Sequence, residues 1–106
     1  MRIMRMLVMF DLPNGSAAER RSYAQFRKFL LNDGYVMEQY SVYSRVTLSR
    51  DSAEAHLMRL KANLPLAGTI TVLTLTERQY ESRKVLVNTM HRTGRSDLGP
   101  QLTLAF

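Results

Sequence analysis

The chain has no cysteine. That excludes a disulfide framework and a cysteine-ligated metal cluster, and it fits a reducing compartment, so the cytoplasm is the expected location. Long apolar runs are missing as well. The run that follows Arg2 and Arg5 stops at Asp11 without a small-residue cleavage site, and nothing later approaches the ~18 apolar residues of a membrane span. Neither a signal peptide nor any membrane association is expected. There is no phosphate-cradling glycine loop and no acyl-transfer triad. Neither His56 nor His91 has a carboxylate or metal ligand at a recognisable spacing, so His56 is expected to be a solvated residue on the flank of its helix. Acidic residues are the last scarcity: nine Asp and Glu against fifteen Lys and Arg leave a net charge of +6. Arginine dominates the positive side, and a guanidinium forks onto phosphate oxygens, so nucleic acid is the leading partner class.

What is present reads as one domain, because 106 residues suffice to bury a core without metal or disulfide support. No internal repeat or linker is visible. Met4 to Leu12 is nearly continuously apolar and reads as a strand, stopped by the turn cluster Pro13-Asn14-Gly15. Ser16 with Glu19 three residues on matches a capping box, and the helix it opens should run to Asn32 or Asp33, with Gly34 ending it. Tyr35 to Ser49, rich in Val, Tyr, Thr and Ser, has room for two strands with a corner between Gln39 and Ser44. A second helix is expected from Asp51, with Glu54 at its third position, to a stop against Pro65. Ala53, Leu57, Leu60 and Leu64 would form its core stripe. Gly68 precedes a strand from Thr69 to Thr76, and Lys84 to Val87 reads as a last short strand. The order predicts an α+β, ferredoxin-like split βαβ sandwich: a four-stranded antiparallel sheet with two helices on one face, plus a short extra strand. Residues 1–88 form the domain. Residues 89–106 are a polar tail that ends in alternating apolar residues, of which Leu102, Leu104 and Phe106 would dock either on the chain's own sheet edge or on a partner.

The first strand carries apolar residues on both faces, with Met4, Met6, Val8 and Phe10 on one and Leu7 and Met9 on the other. Two helices cover only one face of a sheet. The second face therefore calls for another molecule, most simply a two-fold homodimer, with a monomer whose tail covers that face as the alternative. An ionised carboxylate belongs outside the helix-packed core, so Arg5, Leu7, Met9 and Asp11 are assigned to the dimer side. Asp11 from each subunit would then approach the two-fold axis.

At 100° per residue the first helix sets Tyr23, Phe26, Phe29 and Leu30 on one side, and Arg20, Arg21, Arg27 and Lys28 on the opposite arc with Ala24 and Leu31. Such a cationic stripe, doubled by a dimer, would track the phosphates of a duplex without reading its sequence; an ordinary solvated helix face has the same composition. Asp11 is the sole credible catalytic residue. One carboxylate is a poor magnesium site, because the ion wants several oxygens; two facing Asp11 residues would do better and could activate water for phosphodiester cleavage. An Asp accepting backbone hydrogen bonds within the Asp-Leu-Pro-Asn-Gly turn fits the spacing equally.

Three stretches carry a family resemblance: Val8-Met9-Phe10-Asp11-Leu12-Pro13 at the end of the first strand, Ser41-Val42-Tyr43 in the middle, and Leu73-Thr74-Leu75-Thr76-Glu77-Arg78-Gln79 closing the fourth strand. With the length and the element order, they resemble the CRISPR-associated protein two family from Met4 to about Val87, especially members found beside the large single-effector systems. The resemblance implies a ferredoxin-like dimer that bridges two integrase dimers, holds the duplex DNA of an incoming spacer and helps insert it into the repeat array. It also implies that Asp11 is the magnesium-binding residue of an endonuclease acting on RNA or DNA, an activity that varies among members. The tail beyond Asn88 matches no family motif, though family precedent favours a tail strand docked within the dimer or onto the integrase.

Two functional classes follow, a scaffold that binds duplex DNA and integrase, and a magnesium-dependent endonuclease, the latter in this family or as a toxin-like endoribonuclease of the same fold. A general RNA-binding module is a third, and it would need exposed aromatics on the sheet, for which Tyr35 and Tyr43 are the expected candidates.

Overall fold

The computed structural model describes residues 2–88. The division at residue 88 and the docking residues Leu102, Leu104 and Phe106 therefore lie outside the described residues. Within them the chain forms β1 (Met4–Asp11), α1 (Ala17–Asn32), β2 (Val36–Gln39), β3 (Val42–Thr47), α2 (Arg50–Lys61), β4 (Thr69–Thr76) and a short α3 (Glu77–Glu81). The four strands lie in the order β2-β3-β1-β4, every neighbouring pair antiparallel, which is the expected ferredoxin-like sheet.

Local chemistry sets most of the boundaries. Ser16 and Glu19 close the expected capping box on α1. The helix ends in a Schellman turn, in which Tyr35 N donates to Leu30 O, Gly34 N donates to Leu31 O, and Gly34 adopts a φ of 93°. The β2–β3 corner falls at Tyr40 and Ser41. The second helix begins one residue earlier than expected, because Ser49 rather than Asp51 supplies the cap and accepts from Ser52 N. It also ends earlier, at Lys61, so Leu64 lies beyond it and is 52% exposed instead of joining the core stripe.

Strand alternation places Met6, Val8 and Phe10 of β1 against Phe26 and Leu30 of α1 and Leu60 of α2, with Tyr35 and Tyr43 completing the buried cluster. Phe10 is its aromatic centre, stacked on Tyr43 and edge-on to Tyr23 and Phe26. Burial of Tyr35 and Tyr43 at 2% exposure each removes both from service as base-stacking residues.

The opposite face of the sheet is covered in part by the chain itself, which two helices alone would not have done. Thr76 and Gln79 form a second capping box that starts α3. Arg5 donates to both oxygens of Glu77, at 3.1 and 2.7 Å, and lies 3.9 Å from the centre of the Tyr80 ring. The Tyr80 hydroxyl donates to Glu38, which also accepts from Ser44 Oγ. Arg5 is thus consumed within the chain and does not belong to a bare dimer surface. Lys84 to Val87 form no strand: these residues have no regular structure and lie exposed.

Candidate nucleic-acid site at the end of the first strand

Asp11 is the last residue of β1. It pairs with Thr69 of β4, and its side chain shares the parity of Leu7 and Met9, pointing away from both helices. The chain turns sharply on either side of it. Gly68, at a φ of 112°, approaches so closely that a Cβ there would sit 2.7 Å from Asp11 O and 2.6 Å from Leu12 Cδ2. On the other side Phe10 N donates to Ser41 O at 3.1 Å, tying the β2–β3 turn to the residue before Asp11. Ser41 has a φ of 63°, a left-handed conformation that a serine adopts only under constraint.

The turn that follows β1 is held without Asp11. Gly15 N and Ser16 N both donate to Glu19 Oε1, and Arg20 donates to the carbonyls of Asn14 and Gly15. Among the described residues the acidic members of the ion pairs are Asp33, Glu38 and Glu77. The Asp11 carboxylate is exposed and lies outside these networks. Around it the described residues leave the second sheet face bare: Leu7, Met9 and Val42 are part-exposed, Thr69 and Thr71 are exposed, and Leu73 is 48% exposed.

A single chain does not furnish a magnesium site. Among the described residues no group of three or more His, Asp or Glu side chains is placed to hold a metal ion, and one carboxylate falls short of what the ion needs.

The four cations of α1 are all exposed, as the helix periodicity requires, but they do not act as one row. Arg20 is anchored on the β1–α1 turn, and Arg27 Nε donates to the Tyr43 hydroxyl at 2.8 Å. Arg21 faces a cleft of about 460 Å³ between α1 and the α2–β4 loop, lined also by Gln25, Phe29, Asn63 and Leu66. Arg20 therefore stands at the β1–α1 turn and Arg27 over Tyr43 on the helix side of the sheet, while Arg21 serves another surface.

His56 is not a solvated flank residue. It is 9% exposed, and its Nδ1 donates to Asp33 Oδ2 at 2.9 Å, while Arg59 donates to Asp33 Oδ1. Burial pushes the Asp33 carboxyl up, but the hydrogen bonds from His56 and Arg59 outweigh it and hold the group below its ordinary value. The partner lies 23 residues away, so no local spacing announces it. This cluster locks the end of α1 to α2 and is remote in the sheet from Asp11.

The profile of the family described as CRISPR associated protein Cas2 matches residues 4–83. A protein named CRISPR-associated endoribonuclease Cas2 from Acidovorax ebreus is 58% identical over 84 residues, covering 79% of this chain and 82% of that protein. Proteins of the same name from Streptococcus mutans and Parvibaculum lavamentivorans are 48% and 46% identical. They cover 80% and 79% of this chain, and 77% and 83% of their own lengths.

Proposed function

The chain belongs to the CRISPR-associated Cas2 family, and from that premise we propose that it acts in CRISPR adaptation as a homodimer that binds duplex DNA and bridges integrase subunits. We propose further that Asp11 gives it a metal-dependent endonuclease activity on RNA or DNA. The observation that carries the second part is the placement of Asp11: an exposed carboxylate, outside the ion pairs among the described residues, on the half of a sheet face that those residues leave bare. No endoribonuclease can use a carboxylate already spent on a helix cap or an internal salt bridge. This one is spent on neither.

The bare half of the face is apolar at Leu7, Met9 and Leu73, and a second copy related by a two-fold axis is the simplest cover for it. Such a pairing would set two Asp11 carboxylates near the axis and supply together what one chain lacks for magnesium. The ion's contribution would be a water acidic enough to attack phosphorus at neutral pH. The chain's own contribution is to hold the carboxylate by the β1–β4 register and the Gly68 approach, and to draw the phosphodiester in with Arg20 and Arg27. Cations recruit the backbone regardless of sequence, so binding should weaken steeply with salt.

Asp11→Ala separates the two roles. The substitution is at an exposed position, so melting should move little. Cleavage of single-stranded RNA or DNA in magnesium should fall at least ~100-fold if the carboxylate takes part in the chemistry, while binding of duplex DNA persists. Undiminished cleavage by the variant would remove Asp11 from the chemistry. Loss of duplex binding would show instead that it shapes the interface.

A further inference from the structure

Among the described residues Ser41 is the one residue other than glycine with a positive φ, 63°. It is the second residue of the tight corner Tyr40–Ser41 between β2 and β3, where a left-handed backbone favours Gly or Asn. A serine held there carries backbone strain, and such strain tends to gather at functional sites.

The sheet shows what this conformation does. β1 and β3 pair as far as Met9 and Val42, and one further bond runs from Phe10 N to Ser41 O at 3.1 Å. Had the chain stayed extended before Ser41, the same register would set Tyr40 opposite Asp11. The left-handed corner takes Tyr40 aside. Among the described residues Asp11 therefore has a strand partner on one side only, Thr69 of β4. Phe10, the residue before it, is held twice: by its amide on Ser41 and by its ring, which stacks on Tyr43 with centroids 5.7 Å apart. On the β4 side, the left-handed Gly68 brings its backbone against Asp11 O. Two left-handed corners thus close on the end of β1, one from each neighbouring strand.

We propose that Ser41 is a positioning residue for Asp11. Its backbone aims the Ser41 carbonyl at Phe10 N, which fixes the strand end that carries the carboxylate, and it turns the chain away so that the β3 flank of Asp11 stays open. The φ does this, and the hydroxyl is not required. A residue that tolerates the left-handed region should serve in its place, whereas one that avoids it should draw the carbonyl off Phe10. This rests on the reading of Asp11 as the carboxylate of a metal-dependent cleavage, and it adds the residue that places that carboxylate.

The test compares Ser41→Gly, Ser41→Asn, Ser41→Ala and Ser41→Val in the full chain. Hydrogen exchange of the Phe10 amide, followed by NMR, reads the brace without any cleavage. It should stay slow in the Gly and Asn variants and quicken by about tenfold or more in Ala and Val. Cleavage of single-stranded RNA or DNA in magnesium reads the consequence. The turnover number should hold within about twofold for Gly and Asn and fall by about 10- to 100-fold for Val, with Ala between and KM little changed, as displacement of a reacting group requires. Ala adds no bulk, so it carries the comparison if the Val chain does not fold. Phe10 exchange unchanged in Ala and Val, or Gly and Asn as impaired as Val, would overturn the positioning role and leave Asp11 standing. Cleavage that is absent from the wild-type chain, or that survives Asp11→Ala, would overturn the reading of Asp11 and this role with it.

Discussion

Asp11 and Asp33 are carboxylates at the ends of neighbouring elements, and the chain treats them in opposite ways. Asp33 is 10% exposed at its side chain and fully engaged by His56 and Arg59, whereas Asp11 is exposed and engaged by neither. The difference has a measurable signature in acid. Because the folded state holds Asp33 below its ordinary value, and does the same for Glu38 and Glu77, the stability these groups contribute is fully present above their unfolded values. It is lost as pH falls through the depressed folded values. Melting temperature should thus be flat near neutrality and decline below about pH 4.5. Asp33→Asn should remove part of that decline, and Asp33→Ala should cost about 1–3 kcal/mol at neutral pH by stranding buried His56. A pH slope unaltered by Asp33→Asn would remove the cluster from the acid response. Asp11 was legible from sequence because a carboxylate that ends an apolar strand stands out locally. Asp33 and His56 were not, since only the tertiary fold brings them together.

At the scale of the element, the readable parts were those whose signals lie within one turn of chain. The α1 capping box and Gly34 define that helix almost to the residue. Ser49, Asp51 and Ser52 all have cap-forming side chains, and backbone geometry rather than residue type selects Ser49. Thr76 and Gln79 carry a capping-box pattern of their own, yet it sits inside the stretch that closes β4, so α3 was hidden beneath the strand. Val85 and Val87 illustrate the reverse case, in which β-branched residues favour a strand but form none. The β4 entrance gives a direct test. Gly68→Ala must place a Cβ against Asp11 O and Leu12 Cδ2 at a φ of 112°, so it should destabilise by about 1–3 kcal/mol and reduce the proposed cleavage by displacing the end of β1. Full activity with an unchanged melting temperature would mean that the turn relaxes freely.

Among the described residues one sheet face is closed by α1 and α2 and the other only over the part that α3 reaches. Sequence alternation along β1 announced that both faces are apolar, but not that α3 would cap one of them in part. What α3 leaves bare is the surface of the proposed two-fold pairing. Leu73 is 48% exposed there, so Leu73→Glu should spare the fold of one chain. It should move the species seen by sedimentation from twice the chain mass toward 12.2 kDa and abolish cleavage with it. A wild-type chain that sediments at 12.2 kDa at micromolar concentration would sink the pairing.

The position of β1 between β3 and β4 has a further consequence in time. Met4 pairs with Thr76 and Asp11 with Thr69, so the earliest strand made waits for nearly the latest before its second ladder can form. At ~5–20 residues per second of synthesis the delay is several seconds, during which β1 carries an unpaired edge and apolar side chains on both faces. Helices α1 and α2 can form as they emerge, but the sheet can only close in a late, non-local step, which is the slow kind. Newly made chains should accordingly be more prone to associate through β1 than finished ones.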